Sequence, residues 1–155
     1  METEVVFEME SPYRSAFQLK RLTYGSGDPV VAIVAGLHGN ELNGIYSLNL
    51  LSAVLSMQKL HGTVHVFPVI NSFGTDQTEK EWPFDRQDIN KVFPGSADGS
   101  PAQRIAHSVL EATKDAEICV DVHSGAPHIR ELPQVRCRPI EEELILGQAM
   151  RLPIL

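Results

Sequence analysis

Val30-Val31-Ala32-Ile33-Val34-Ala35-Gly36-Leu37-His38-Gly39-Asn40-Glu41 organises this chain. Val30 to Ala35 is a continuous apolar run, mostly β-branched, the pattern of a strand buried on both faces. Beyond it, Leu42, Ile45, Leu48, Leu51 and Leu55 recur at helical spacing, which predicts a helix over Glu41 to Lys59. His38 and Glu41 stand three residues apart at the corner between strand and helix. From there both side chains can reach one point.

Upstream, Val5 to Met9 reads as a short strand and Phe17 to Tyr24 as a looser one, followed by a Gly25-to-Pro29 turn cluster. Downstream, Thr63 to Ile70 reads as a strand in which Pro68 implies an edge position or a bend. Asn71 to Ser100 has little periodicity, and a segment of that length is expected to wall a functional pocket. Ser100-Pro101 is an N-cap followed by Pro at the first helical position, predicting a helix over Pro101 to Asp115. Ile118 to Val122 is a second buried strand, ending at His123-Ser124-Gly125. Leu132 to Arg138 reads as a strand. Pro139 opens a helix whose first turn carries Glu141, Glu142 and Glu143, acids that suit a helix N-terminus. Leu152 to Leu155 looks like the start of another strand. The alternation predicts one α/β domain over 1–155, three layers deep, with a mixed, mostly parallel sheet flanked by helices. In such sheets, sites form at the carboxyl ends of strands, where both His38 and His123 stand.

Composition narrows the function. The chain has 155 residues, 43% hydrophobic and 21% charged, as in ordinary soluble domains. A net charge of −7 without any Lys/Arg cluster argues against nucleic-acid binding. No apolar stretch reaches the ~20 residues of a membrane span. Met1 to Glu10 carries Glu and no Lys or Arg, unlike a signal peptide, so the expected compartment is the cytoplasm. Neither Cys119 nor Cys137 has a CxxC partner, and Cys119 reads as a small buried side chain.

His38, Glu41 and His123 together make two histidines and a carboxylate on one rim, a catalytic zinc ligand set that leaves one position open. The ion would lower a water's pKa toward ~7 and polarise a carbonyl. Asp121 has a supporting role toward His123, although its side chain is expected on the opposite strand face. The plainer reading stands beside this one. H-x-x-E arises by chance in many proteins, His38 can be a turn residue, and His123 an ordinary end-of-strand histidine. Of the other histidines, His61 and His65 are expected on solvent or a sheet surface and His107 exposed on its helix. His128 is the one rival ligand.

The corner motif, then Asp88-Ile89-Asn90-Lys91-Val92-Phe93-Pro94-Gly95, then Asp121-Val122-His123-Ser124-Gly125, resembles the succinylglutamate desuccinylase/aspartoacylase family of the zinc carboxypeptidase-like group. The likeness runs in order over roughly residues 10 to 155. It implies a zinc-dependent hydrolase that cleaves an amide of an N-acyl amino acid or similar small carboxylate, with one Zn2+ per chain. His38, Glu41 and His123 match the family's zinc ligands. Asn90 matches an Asn that contacts the substrate carboxylate. Lys91 stands where the family usually has Arg, replacing a two-pronged fork by a flexible point charge. Arg86, in the same loop, can compensate or can pair with Asp85 or Asp88. The family's general-base Glu lies well downstream of the third ligand and has no match here. The chain is accordingly read as the N-terminal portion of a longer enzyme, with no catalytic base of its own.

Alternatives share parts of this pattern. A zinc carboxypeptidase-type peptidase would carry every motif. A two-His-one-carboxylate iron oxygenase would share the ligands, although those usually sit on an all-β scaffold. A catalytically inactive metal-binding fragment would keep the metal and lose the reaction. An open sheet edge would also let the chain dock a partner or form a homo-oligomer.

Overall fold

The computed structural model describes residues 1–11, 14–125 and 128–154. Strands β1 (Glu2–Met9), β2 (Phe17–Ser26) and β3 (Val30–Ala35) lead into helix α1 (Leu42–Ser56). Strand β4 (Gly62–Phe67), helix α2 (Ser72–Gln77), helix α3 (Pro101–Thr113), strand β5 (Ile118–Val122) and helix α4 (Glu141–Ala149) follow. The five strands form one mixed sheet in the order β1-β2-β4-β3-β5. The β4-β3-β5 half, which carries the site, is parallel, and the β1-β2-β4 half is antiparallel.

β3 is buried because both faces are covered. Val34 joins Phe17, Leu19, Phe67 and the α3 residues Ala102, Ile105, Ala106 and Val109 in one core. Ala35 and Ile33 pack on the other face with Tyr24, Val66 and Leu48 of α1. The period-2 alternation of a strand produces this division. α3 begins with the expected cap: Ser100 and Gln103 close a capping box ahead of Pro101. α1 contains no charged residue and leaves Leu42, Tyr46, Leu50 and Val54 exposed along its outer side.

Several expectations shift. β1 starts at Glu2, not Val5, because pairing with β2 extends it past its apolar part, from Glu2↔Thr23 to Met9↔Phe17. α1 ends at Ser56, three residues short of Lys59. β4 lies between β2 and β3, not at an edge, and it ends at Phe67 because Pro68 has no N–H to give the ladder. Contact resumes beyond the proline, where Ile70 N donates to Ala35 O at 3.0 Å and Asn71 N to Gly36 O at 2.7 Å.

The aperiodic Asn71 to Ser100 stretch is more ordered than its pattern suggests. It contains α2, a 3-10 turn at Ile89–Lys91, and two fully buried apolar residues, Trp82 and Ile89. Trp82 packs against Phe17 and Phe73 at centroid distances of 4.9 and 5.4 Å. Cys119, expected to be buried, is exposed, since β5 is an edge strand and no described element covers Cys119's side of it. The strand expected at Leu132 to Arg138 reduces to a single bridge, Val135 to Ile154, and Leu155 lies outside the described residues. No described helix is long and apolar enough to cross a membrane.

Candidate metal centre

The β3–β5 register sets the site. Ala35 pairs with Val122, so the two strands end level with each other. The chain then turns through Gly36, which has a φ of 69°, and Glu41 N closes the corner on His38 O at 3.2 Å. The structure brings His38, Glu41 and His123 together. One ligand atom from each lies within 4.8 Å of the others, and among the described residues His128 is not part of the group. The imidazole rings are tilted by 58° with centroids 5.0 Å apart.

Both rings turn the same nitrogen toward Glu41. His38 Nδ1 lies 2.6 Å from Glu41 Oε1, and His123 Nδ1 lies 3.0 Å from Glu41 Oε2. On the outer side, His38 Nε2 meets Asp88 Oδ1 at 3.0 Å and His123 Nε2 meets Asp121 Oδ2 at 2.7 Å. An ionised carboxylate only accepts and each ring faces one at both nitrogens, so the proton of a neutral ring whose Nδ1 is turned to a metal lies on Nε2, toward the aspartate. In the neutral ring, Nδ1 then points a lone pair at a Glu41 oxygen. Two lone pairs facing a carboxylate are stable only around a cation, either a proton or a metal ion. Carboxylates holding the far nitrogens are the usual support of metal-bound histidines. The donor set fits a metal ion, and His38, Glu41 and His123 are the residues that would hold it.

The charges agree with this arrangement. Burial pushes the Glu41 carboxyl up, but the Ser124 N–H at 2.8 Å, the His38 hydrogen bond and the His123 charge outweigh it, leaving its pKa below the ordinary 4.5. His123 is raised above its ordinary 6.5, chiefly by the Asp121 hydrogen bond, with burial opposing. Burial likewise opposes the drop at Asp88, where Lys80 and His38 prevail. In the metal-free protein, the Glu41 contribution to stability is complete above 4.5 and is lost as pH falls through its depressed folded pKa. The His123 contribution is complete below 6.5 and is lost as pH rises through its raised folded pKa. Both therefore hold between 4.5 and 6.5. Thermal melts of metal-free wild type and Glu41→Gln should differ most inside that window, and parallel curves would rule the ion pair out. Metal affinity is expected to run the other way, rising with pH as His123 loses its proton.

Two of these supports were missed or misplaced at the level of sequence. Asp121 was expected on the strand face opposite His123. Residues i and i+2 of a strand share a face, and the two side chains are hydrogen-bonded. Asp88 was visible only as part of a motif. Of the substrate candidates, Asn90 and Lys91 are exposed, with Lys91 Nζ 4.0 Å from Asp88 Oδ2. Arg86 is exposed and pairs with Glu79 and Glu81, not with Asp85 or Asp88. Glu131 packs against Gly125, while Glu141, Glu142 and Glu143 occupy the first turn of α4.

Residues 28–153 match the model of the succinylglutamate desuccinylase/aspartoacylase catalytic domain. The chain belongs to this family. The family's members are deacylating hydrolases of amide bonds. An N-alpha-acetyl-L-2,4-diaminobutyric acid deacetylase of Halomonas elongata is 29% identical over 106 residues, covering 68% of this chain and 31% of that protein. An aspartoacylase family protein from Mesorhizobium loti superposes with a TM-score of 0.81 at 27% identity, over 90% of this chain and 47% of its own. A succinylglutamate desuccinylase/aspartoacylase from Rhodobacter sphaeroides shares the fold, with a TM-score of 0.72 at 24% identity over 88% of this chain and 42% of its own. The chain thus spans about a third to a half of the length of these relatives.

Proposed function

We propose that this chain forms the metal-holding part of a zinc-dependent deacylase acting on an N-acyl amino acid or a similar small carboxylate. The observation that carries the proposal is the convergence of His38 Nδ1, His123 Nδ1 and Glu41, with each outer nitrogen held by an aspartate. A zinc ion at these residues supplies Lewis acidity toward an amide carbonyl and toward water.

The chain's own residues do the rest of what can be assigned. Asp88 and Asp121 fix the ring orientations and keep the protons on Nε2. Ser124 N–H holds Glu41 Oε2 in place. Lys91, exposed and 4.0 Å from Asp88 Oδ2, offers its ammonium to a substrate carboxylate, with Asn90 beside it as a neutral hydrogen-bonding group. Arg86 contributes only if it leaves Glu79 and Glu81. Among the described residues the group contains one glutamate, Glu41, and it serves as a ligand. Without a positioned base, hydrolysis by this chain alone is expected to be slower by ~10²–10⁴-fold.

The test is metal analysis of the purified chain after dialysis against zinc, alongside hydrolysis of N-acetyl and N-succinyl amino acids. One zinc per chain, lost in His38→Ala, is the expected result. No stoichiometric zinc in wild type would refute the proposal. Iron in place of zinc would favour oxygenase chemistry instead.

A further inference from the structure

We infer that Asn71 is a positioning residue for the metal-ligating turn, holding His38 from beneath without touching it. This inference rests on the metal-binding reading above. Asn71 stands four residues after the end of β4 and is completely buried, which is unusual for an amide side chain. Every polar group of the residue is used. Its N–H donates to Gly36 O at 2.7 Å, two residues before His38. Its Oδ1 accepts from Gly74 N at 2.8 Å and caps α2. Its Nδ2 donates to the carbonyls of Glu81 at 3.1 Å and Lys80 at 3.4 Å.

Those last two contacts make Asn71 part of the site. The Lys80 carbonyl also accepts from Gly39 N at 3.4 Å, one residue after His38. The Lys80 ammonium lies 3.2 Å from Asp88 Oδ2, and Asp88 Oδ1 holds His38 Nε2. Asn71 thus ties Gly36 through its backbone N–H and, through its side-chain amide, the Lys80–Glu81 segment that meets Gly39 and bears the partner of Asp88. If Nδ2 is removed, the Lys80–Glu81 segment loses its anchor, and Gly39 and Asp88 lose a fixed partner with it. A histidine free to swing binds metal less well than one held in place, and loss of such outer supports typically weakens metal affinity 10–100-fold.

Asn71→Asp separates the two functions of the side chain. It keeps the oxygen that caps α2 and loses the donor to Lys80 and Glu81. Zinc affinity measured by chelator competition is expected to fall about 10-fold. Cobalt(II), used as a probe, should show an altered visible spectrum reporting changed ligand geometry. Val109→Ala, in the α3 core, is the control for simple loss of stability. It is expected to lower Tm and leave affinity unchanged, since a protein still almost wholly folded presents the same site. If Asn71→Asp does not fold, Asn71→Ser gives the same comparison with a shorter acceptor. Wild-type zinc affinity and cobalt spectrum in a folded Asn71 variant would overturn the inference while leaving the metal site standing. Equal affinity losses in the Asn71 variant and Val109→Ala would overturn it too. Absence of zinc binding in wild type would instead defeat the reading beneath it.

Discussion

Glu41→Ala is expected to bind zinc roughly 10²–10³-fold more weakly than the wild-type chain. Glu41 is central because both imidazoles face it, Oε1 toward His38 and Oε2 toward His123. It is one of three protein donors. Structural zinc binding by the four donors of small zinc-finger peptides is worth about 10 to 16 kcal/mol, so one donor's share is about 2.5 to 4 kcal/mol, or roughly 10²–10³-fold in affinity. The substitution also leaves the Ser124 N–H without its acceptor. Chelator competition reads the loss directly. Retention of wild-type affinity in Glu41→Ala would mean that the ion, if any, sits elsewhere.

Gly39→Ala should be strongly destabilising, although it adds a single methyl group. A Cβ at Gly39 would stand 2.2 Å from Gly74 C, 2.4 Å from Thr75 N and 2.6 Å from Glu79 O. All three are backbone atoms, so no side chain can turn aside, and the corner must separate from α2 and the Lys80 segment. Overpacking of this kind costs about 3 kcal/mol or more, because the backbone has to move. Metal affinity should fall with stability, since the displaced residue adjoins His38. Gly27→Ala provides contrast: its φ is 82° but nothing lies within 4 Å of a Cβ there. That substitution is expected to cost only about 1 to 2 kcal/mol, the strain of an L-residue at positive φ. Urea unfolding of the two variants gives the comparison. Equal midpoints would show that the corner is not packed as described.

β3 and β5 were legible to the residue, because β3 is an uninterrupted apolar run and β5 a β-branched-rich one broken only by Asp121, each between polar or glycine-rich boundaries. α3 was legible from its cap and its one apolar face. β1 was not, since Glu2 and Glu4 join the sheet through cross-strand pairing, with Glu4 meeting Arg21 across the hairpin, and pairing leaves no mark in hydropathy. Order in the Asn71 to Ser100 segment was hidden for a related reason. Trp82 and Ile89 anchor it singly, and single anchors have no period. The exposure of Cys119 was hidden as well, because an apolar run does not reveal whether its strand ends up at a sheet edge.

The sequence by itself determined the strand–corner–helix unit, the identity of the three clustering donors and the family. Side-chain chemistry and local periodicity carry that information, and both are properties of short stretches of chain. Tertiary structure decided what the donors do. Parallel pairing of Ala35 with Val122 placed two strand ends level and brought His123 to Glu41. The same folding delivered Asp88 to His38 from fifty residues away. It also buried Asn71 beneath the Gly36–Glu41 turn, between Gly36 and the Lys80–Glu81 carbonyls. Register and loop closure arise from contacts between segments far apart in the chain, and no window of sequence contains both sides of such a contact.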